Sequence, residues 1–514
     1  MNTKTIARNT AWYGLENVIG FVSSLITSIA IARTLGPSKM GYLIYVTWLV
    51  GIASTLGSVG IPATTRKYMA EFLGSGDRAT ARFIFLRTLT IQTIMATAAT
   101  LLAAAWVFHD APPEYLIASL LLVLSILPAM INYIPAQANV AAEQLSANLP
   151  GSVASTVVFF VMTVLTIVFK WGVIGIASAM LGMRMADFIV RLIPTMRRLL
   201  AWPSDNIRTP PDLRPRMMRF ALQSVMGLLL TLIVWDRSEL FLLKHLSPDI
   251  RQLAFYSIAF NLAERLLIFP SVFASASGAS VFAQYGRDPS RLPAMTASSV
   301  RYLALISIPL HIIAVSLAGP ALLTLYGAKY AGAFVVASVS PLLCLPKAFL
   351  GPIQSLFEST ERQKYFIATT IFASFIDIGV AWYLIPSLGA LGACIGSGAA
   401  QFTAISLMWA IGIYRDKIVL PWRFLAKVTM ISIAASLAAY AVSFRLAPVW
   451  ALIVGGTAAT VTFFLLAYTF KILEPEDSSR FKIISAACPR ALAGPMNRAF
   501  DMLTKRLEPD STAV

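Results

Sequence analysis

Charge, cysteine and histidine are all scarce in this sequence. Charged side chains make up 13% of the 514 residues, against about 25% in an ordinary soluble chain. That excludes a water-soluble enzyme and a disordered chain. The three cysteines, Cys344, Cys394 and Cys488, lie far apart without ligand spacing, which leaves no disulfide framework. His109, His245 and His311 are equally scattered, so no His/Cys metal site is expected. No glycine loop carries a phosphate-binding lysine, so nucleotide hydrolysis is not the expected energy source. Neither a cofactor nor a catalytic set is anticipated.

Apolar residues dominate instead. They form 57% of the chain, and the mean hydropathy is +0.73. A helix needs about 20 mostly apolar residues to cross the hydrocarbon. Fourteen segments qualify: 10–32, 41–61, 83–108, 115–135, 150–169, 173–190, 220–243, 253–274, 302–317, 333–357, 366–385, 391–413, 424–444 and 449–470. The first follows Lys4 and Arg8, is too long for a signal-peptide core and has no convincing cleavage site, so it reads as a retained signal-anchor.

The net charge is +17. With the N-terminus in the cytoplasm, inner segments hold 29 of the 41 Lys and Arg residues and outer loops hold seven. This asymmetry places both termini inside and requires an even number of helices. In such a chain the positive excess is an orientation signal, and no nucleic-acid partner is expected. The expected location is the inner (cytoplasmic) membrane, multi-pass.

A basic, proline-bearing stretch at 201–216 divides the chain. It separates a six-helix lobe (1–200) from a second (217–416), followed by two further helices (417–472) and a polar tail (473–514). The lobes echo each other. Arg33-Thr34-Leu35-Gly36-Pro37 with Tyr45 recurs as Lys244-His245-Leu246-Ser247-Pro248 with Tyr256, at a constant offset of 211. Gly172-Val173-Ile174-Gly175 is echoed by Gly389-Ala390-Leu391-Gly392. An even number of helices per half gives parallel repeats about an axis along the membrane normal, with a substrate path between the halves. The expected fold is all-α and polytopic, with about fourteen helices.

Several motifs resemble one family. Ala32-Arg33-Thr34-Leu35-Gly36-Pro37 with Gly41-Tyr42 resembles the first external turn of polysaccharide exporters. The run Gly60 to Glu71 is similar to their second-helix exit. Leu325-Tyr326-Gly327-Ala328-Lys329-Tyr330 resembles the turn before their tenth helix. Tyr383 to Pro386 with Leu388 to Ala393 resembles the turn between their eleventh and twelfth helices. On these residues the chain is identified as a member of the multidrug, oligosaccharidyl-lipid and polysaccharide exporter superfamily, nearest the O-antigen and lipid-linked oligosaccharide flippases. The resemblance implies two six-helix lobes around a central cavity, alternating between inward- and outward-facing states. The glycan headgroup would pass through the cavity while the polyprenyl tail stays in lipid.

Ionised groups in hydrocarbon are costly and mark candidate sites. Arg237, Arg265, Lys347 and Arg184 are the candidates for a pyrophosphate headgroup, since guanidinium forks match phosphate oxygens. Glu16, Asp187, Asp236, Glu239, Glu264 and Asp377 are candidates for ion coupling or for pairing with those cations. Arg184 and Asp187, three apart, share a helix face and can pair. Asp236 and Glu239 share a face likewise, with Arg265 an available partner. Lys347 lies between Pro346 and Pro352, which predicts a bend with freed carbonyls. The resemblance adds two points: an acid in the first helix, as at Glu16, is a coupling site in the drug-extruding branch, and asparagine is commoner where Asp377 stands. A buried carboxyl can exchange a proton at neutral pH, so Asp377 is either an ion site or a partner for Lys347. Tyr45, Phe255, Tyr256 and Phe260 fit packing better than sugar stacking.

The function expected is translocation of lipid-linked oligosaccharide or polysaccharide repeat units from the inner to the outer leaflet. Its partners would be a polyprenyl-pyrophosphate-linked glycan, the lipid bilayer, and a polysaccharide polymerase or chain-length machinery. A proton- or sodium-coupled multidrug or metabolite exporter is the first alternative, and a membrane glycan polymerase or ligase the second. The last lacks a large external loop with a catalytic set.

Overall fold

The computed structural model describes residues 3–472, apart from 205–206, 208–209, 235–237, 269, 272, 274–280, 282–283 and 286; for 3–23, 223 and 226–234 it describes the backbone alone. The regular elements of the described residues are all helices, α or 3-10, with no strand. Among the described residues, eleven helical segments are long and apolar enough to cross a membrane. The chain is a multi-pass membrane protein.

The difference from fourteen has local causes. The first two expected spans lie in one helix, α1 (Thr3–Gly57), broken at Gly36, where φ is 74° and ψ 172°. The described parts of the seventh are α8 (Leu213–Val234) and α9 (Glu239–Leu246), and the eighth yields α10 (Arg251–Arg265). In each, part of the expected span lies outside the described residues.

The remaining helices of the first six spans are α2 (Ile61–Gly74), α3 (Arg78–Asp110), α4 (Leu116–Leu124), α5 (Ile126–Ala141), α6 (Leu149–Val168) and α7 (Gly172–Leu200). Asp77 caps α3, its carboxylate accepting from Thr80 N at 2.9 Å and Thr80 Oγ1 at 2.6 Å. That satisfies donors that a helix start leaves free. Along α3, Thr90, Thr93, Thr97 and Thr100 each donate to the carbonyl four residues back. Their hydroxyls therefore need no water.

Later helices are α11 (Leu292–Tyr326), α12 (Phe334–Cys344), α13 (Leu350–Ser359), α14 (Gln363–Leu388), α15 (Ala390–Arg415), α16 (Trp422–Ser443) and α17 (Pro448–Thr469). The bend expected at Lys347 is present: a 3-10 segment, Leu345–Phe349, separates α12 from α13. One carbonyl there, Phe349 O, accepts from Trp409 Nε1 at 3.2 Å.

Two compact units result. The first comprises Met1–Ser257, Leu325–Tyr330 and Ser374–Ser397; the second comprises Ile258–Thr324, Ala331–Ala373 and Gly398–Val514. In the first unit, Tyr68, Met69, Ile84, Phe85, Ile134 and Leu199 form one core and Val107, Val123, Ile126 and Met130 another. In the second, Ala304, Ile308 and Ile312 of α11 pack with Val428 and Ile431 of α16. Large apolar side chains also cover the outside: Leu102 is 74% exposed and Phe375 73%. In water this would be an aggregation hazard; against lipid tails it costs nothing.

Within the first unit the first and third of the turn motifs meet. Arg33 Nε donates to Leu325 O at 2.7 Å, and Tyr330 OH to Ala32 O at 2.9 Å. Ala390 N donates to Gln252 Oε1 at 3.0 Å. A Cβ on Gly41 would stand 2.2 Å from Ile250 O, so only a glycine lets the start of α10 approach α1 this closely.

Candidate functional site

The most deeply buried ionisable groups of the first unit, among the described residues, are an acid pair. Glu239, the first residue of α9, and Asp377, midway along α14, are each 1% exposed. Tyr256 OH on α10 donates to Glu239 Oε2 at 2.8 Å. Ser238 Oγ donates to Asp377 Oδ2 at 3.1 Å. The two carboxyls interact with each other, and Ser397 of α15 interacts with Glu239. Ser397 is in reach because Gly396, its neighbour, packs on the Ala381 backbone; a Cβ there would lie 3.1 Å from Ala381 N.

One oxygen of each acid, Glu239 Oε1 and Asp377 Oδ1, is buried and accepts no hydrogen bond among the described residues. No basic side chain of the described residues acts on either acid. Two carboxylates in apolar surroundings repel, and each loses its hydration. A shared proton or a bound cation relieves both costs. The arrangement can therefore hold a proton or a monovalent cation between oxygen ligands.

A second group lies in the other unit. Lys347 Nζ, on the 3-10 segment, contacts Glu264 Oε1 of α10 at 3.2 Å, with the two side chains 21% and 29% exposed. Lys347 is thus paired with Glu264 rather than with Asp377. Arg265, beside Glu264, is partly exposed.

A third group runs along α7. Asp187 Oδ1 contacts Arg191 Nη2 at 2.7 Å, and Asp187 Oδ2 accepts from Asn132 Nδ2 of α5 at 2.7 Å. Arg191 also donates to Ser152 Oγ of α6 at 3.1 Å. The expected Arg184–Asp187 pair is not formed: Asp187 takes the arginine four residues on, which a second helix holds in place. Arg184 is exposed, with no ion pair or hydrogen bond among the described residues.

Asp236 and Arg237 lie outside the described residues, as does the tail 473–514. Glu16 lies in α1, and its side chain is outside the description. Tyr45, Phe255 and Tyr256 are buried; Tyr45 stacks on Trp48 with ring centroids 6.5 Å apart. Residues that the sequence reading passed over are Ser238, Ser397, Asn132 and Arg191. The spacing of Arg191 from Asp187 was a usable signal; the others meet their partners through tertiary packing.

Long membrane helices, paired turn motifs and a buried acid pair define a polytopic membrane protein. Residues 6–286, more than half of the chain, match the model of the polysaccharide biosynthesis protein family. The chain belongs to that family. Among solved structures it is similar to the lipid II flippase MurJ in an inward closed conformation, with a TM-score of 0.67 at 13% identity over 89% of this chain and 98% of that one. It is also similar to an inward-facing multidrug resistance MATE family transporter of the MOP superfamily, with a TM-score of 0.65 at 15% identity, covering 77% of this chain and 94% of that one. An outward-facing MATE family transporter of the same superfamily gives 0.57 at 16% identity, with 80% and 96% covered. At such identities the likeness shows the fold. No curated protein sequence matches the chain.

Proposed function

We propose that this protein is a flippase, moving lipid-linked glycan repeat units from the inner to the outer leaflet by alternating access. The observation that carries the reading is the family match over residues 6–286 in a chain of membrane helices. Membership of a polysaccharide biosynthesis family supports a glycan cargo, and the fold shared with a lipid II flippase supports a lipid-linked one. The cationic side chains Arg184, Arg237, Arg265 and Lys347 are the groups that bind the pyrophosphate headgroup. Glu239 and Asp377 hold the coupling ion; Glu264 holds Lys347 until a phosphate competes for it. The protein lies in the inner membrane with both termini cytoplasmic, supplying a polysaccharide polymerase outside.

The acid pair also favours a second reading, a cation-coupled exporter of cationic small molecules. One experiment separates the two. Proteoliposomes are given a short polyprenyl-pyrophosphate oligosaccharide or a cationic dye, each with and without a proton or sodium gradient. Movement of the lipid-linked sugar is expected. Movement of the dye alone would replace the flippase reading with the exporter.

A further inference from the structure

One face of α7 carries a repeating polar stripe. Arg184, Asp187, Arg191, Thr195 and Arg198 follow at helical intervals of three and four, so their side chains line up. Arg191 is neutralised by Asp187. Arg198 is not neutralised. It donates to Gln144 Oε1, and its Nη2 donates to Asn139 Oδ1 at 2.5 Å. Both acceptors are amide oxygens, which orient a guanidinium without cancelling its charge. No carboxylate acts on Arg198 among the described residues.

The cradle is fixed independently of any ligand. Asn139 is fully buried and donates to Asn148 Oδ1 at 2.8 Å, while Thr195 Oγ1 donates to Asn139 Oδ1 at 3.3 Å. A guanidinium has five N–H donors. Two are used here, and Nε is buried without an acceptor. One N–H on each of Nη1 and Nη2 is left, a preoriented pair with uncompensated positive charge. A neutral ligand would leave that charge in place; an oxyanion with two adjacent oxygens removes it. A second arginine, Arg82, donates to Trp202 O at 2.6 Å, four residues beyond Arg198. Arg198 stands in the last turn of a membrane-spanning helix, the depth at which lipid phosphates lie.

We infer that Arg198, with Asn139 and Gln144, forms a binding site for the phosphate of a lipid headgroup. The site does not depend on the cargo reading, since a bilayer phospholipid and a polyprenyl carrier present the same group. The test is native mass spectrometry of the full-length protein with three probes: short-chain polyprenyl phosphate, dioctanoyl phosphatidylglycerol and inorganic phosphate. At least one lipid should bind, and Arg198→Gln should weaken it about tenfold, the loss of one charge-assisted contact. Arg197→Gln, one residue away and exposed, should leave binding unchanged. Binding of the polyprenyl phosphate alone would assign the site to a carrier lipid, and binding of phosphatidylglycerol as well to headgroups generally. Inorganic phosphate binding with neither lipid, or equal lipid binding by Arg198→Gln, would overturn the site. If Arg198→Gln is not recovered as a monodisperse protein, Arg198→Lys decides. It keeps the charge and loses the fork, and unchanged lipid binding in it would equally overturn the proposal.

Discussion

The Glu239–Asp377 pair and the Lys347–Glu264 pair treat the same problem in opposite ways. Both place ionisable groups in membrane helices. Lys347 and Glu264 cancel each other at 3.2 Å and keep partial access to solvent. Glu239 and Asp377 are almost fully enclosed, are both acids, and leave an oxygen each without a donor among the described residues. A neutralised pair is stable as it stands. A like-charged pair is complete only with something added to it. An embedded charge therefore marks a function less by its presence than by what its neighbours fail to supply.

That contrast breaks first on transport. Asp377→Ala should bring gradient-driven flipping down to the level of protein-free vesicles in the proteoliposome assay. Asp377→Asn, which can still accept from Ser238 but cannot take up a proton, should lose the response to a proton gradient. If both variants follow the gradient as the unmodified protein does, the pair is structural.

Stability sharpens the same comparison. Glu264→Gln removes the carboxylate that Lys347 contacts at 3.2 Å in a half-buried setting, and should cost roughly 1–3 kcal/mol. Glu239→Gln relieves like-charge repulsion and keeps an acceptor for Tyr256, so thermal stability should hold or rise. Unfolding midpoints of both variants in one detergent test the difference; the opposite order would mean that Glu239 has a cationic partner outside the described residues.

Smaller effects are expected in the turns. Tyr330→Phe removes the hydrogen bond to Ala32 O and should cost about 1 kcal/mol, read as a lowered midpoint. Asp249 offers a pH-dependent case. Burial raises its carboxyl, but hydrogen bonds from the Arg251 side chain and backbone N–H outweigh this and hold it below its ordinary value. A depressed carboxyl stabilises the fold above its unfolded value, and that contribution is lost as pH falls through the folded one. Asp249→Asn should therefore cost a few tenths of a kcal/mol, roughly the worth of an exposed pair, at neutral pH. The difference from the unmodified protein should vanish in acid, below the usual carboxylate range.

Much of the fold was legible because hydrocarbon imposes length and apolarity on every crossing segment. The break at Leu345–Phe349 was legible from Pro346 and Pro352, since proline removes a donor inside a helix. Asp377 stood out as an acid deep in a span. Its surroundings did not: Ser238 is 139 residues away in sequence, and nothing local connects them. For Asp187 the face was read correctly and the turn wrongly. Residues three and four away share that face, and the choice between Arg184 and Arg191 was made by Ser152 on a neighbouring helix.

The turn cluster has one property that its distances do not convey. Arg33 reaches Leu325 at the end of α11, while its counterpart Lys244 lies 3.9 Å from Asp110 at the end of α3. Gly41 meets the strip around Ile250, and the position equivalent to Gly41 is Gln252, within that strip. Each half thus grips the other at matching places, the pattern of an isologous dimer interface, here joined in one polypeptide. Two separate identical chains could not have glycine at one of these places and glutamine at the other. Covalent linkage removes that constraint: one copy can give up its side chain to let the backbones close, while the other keeps an amide to bind Ala390.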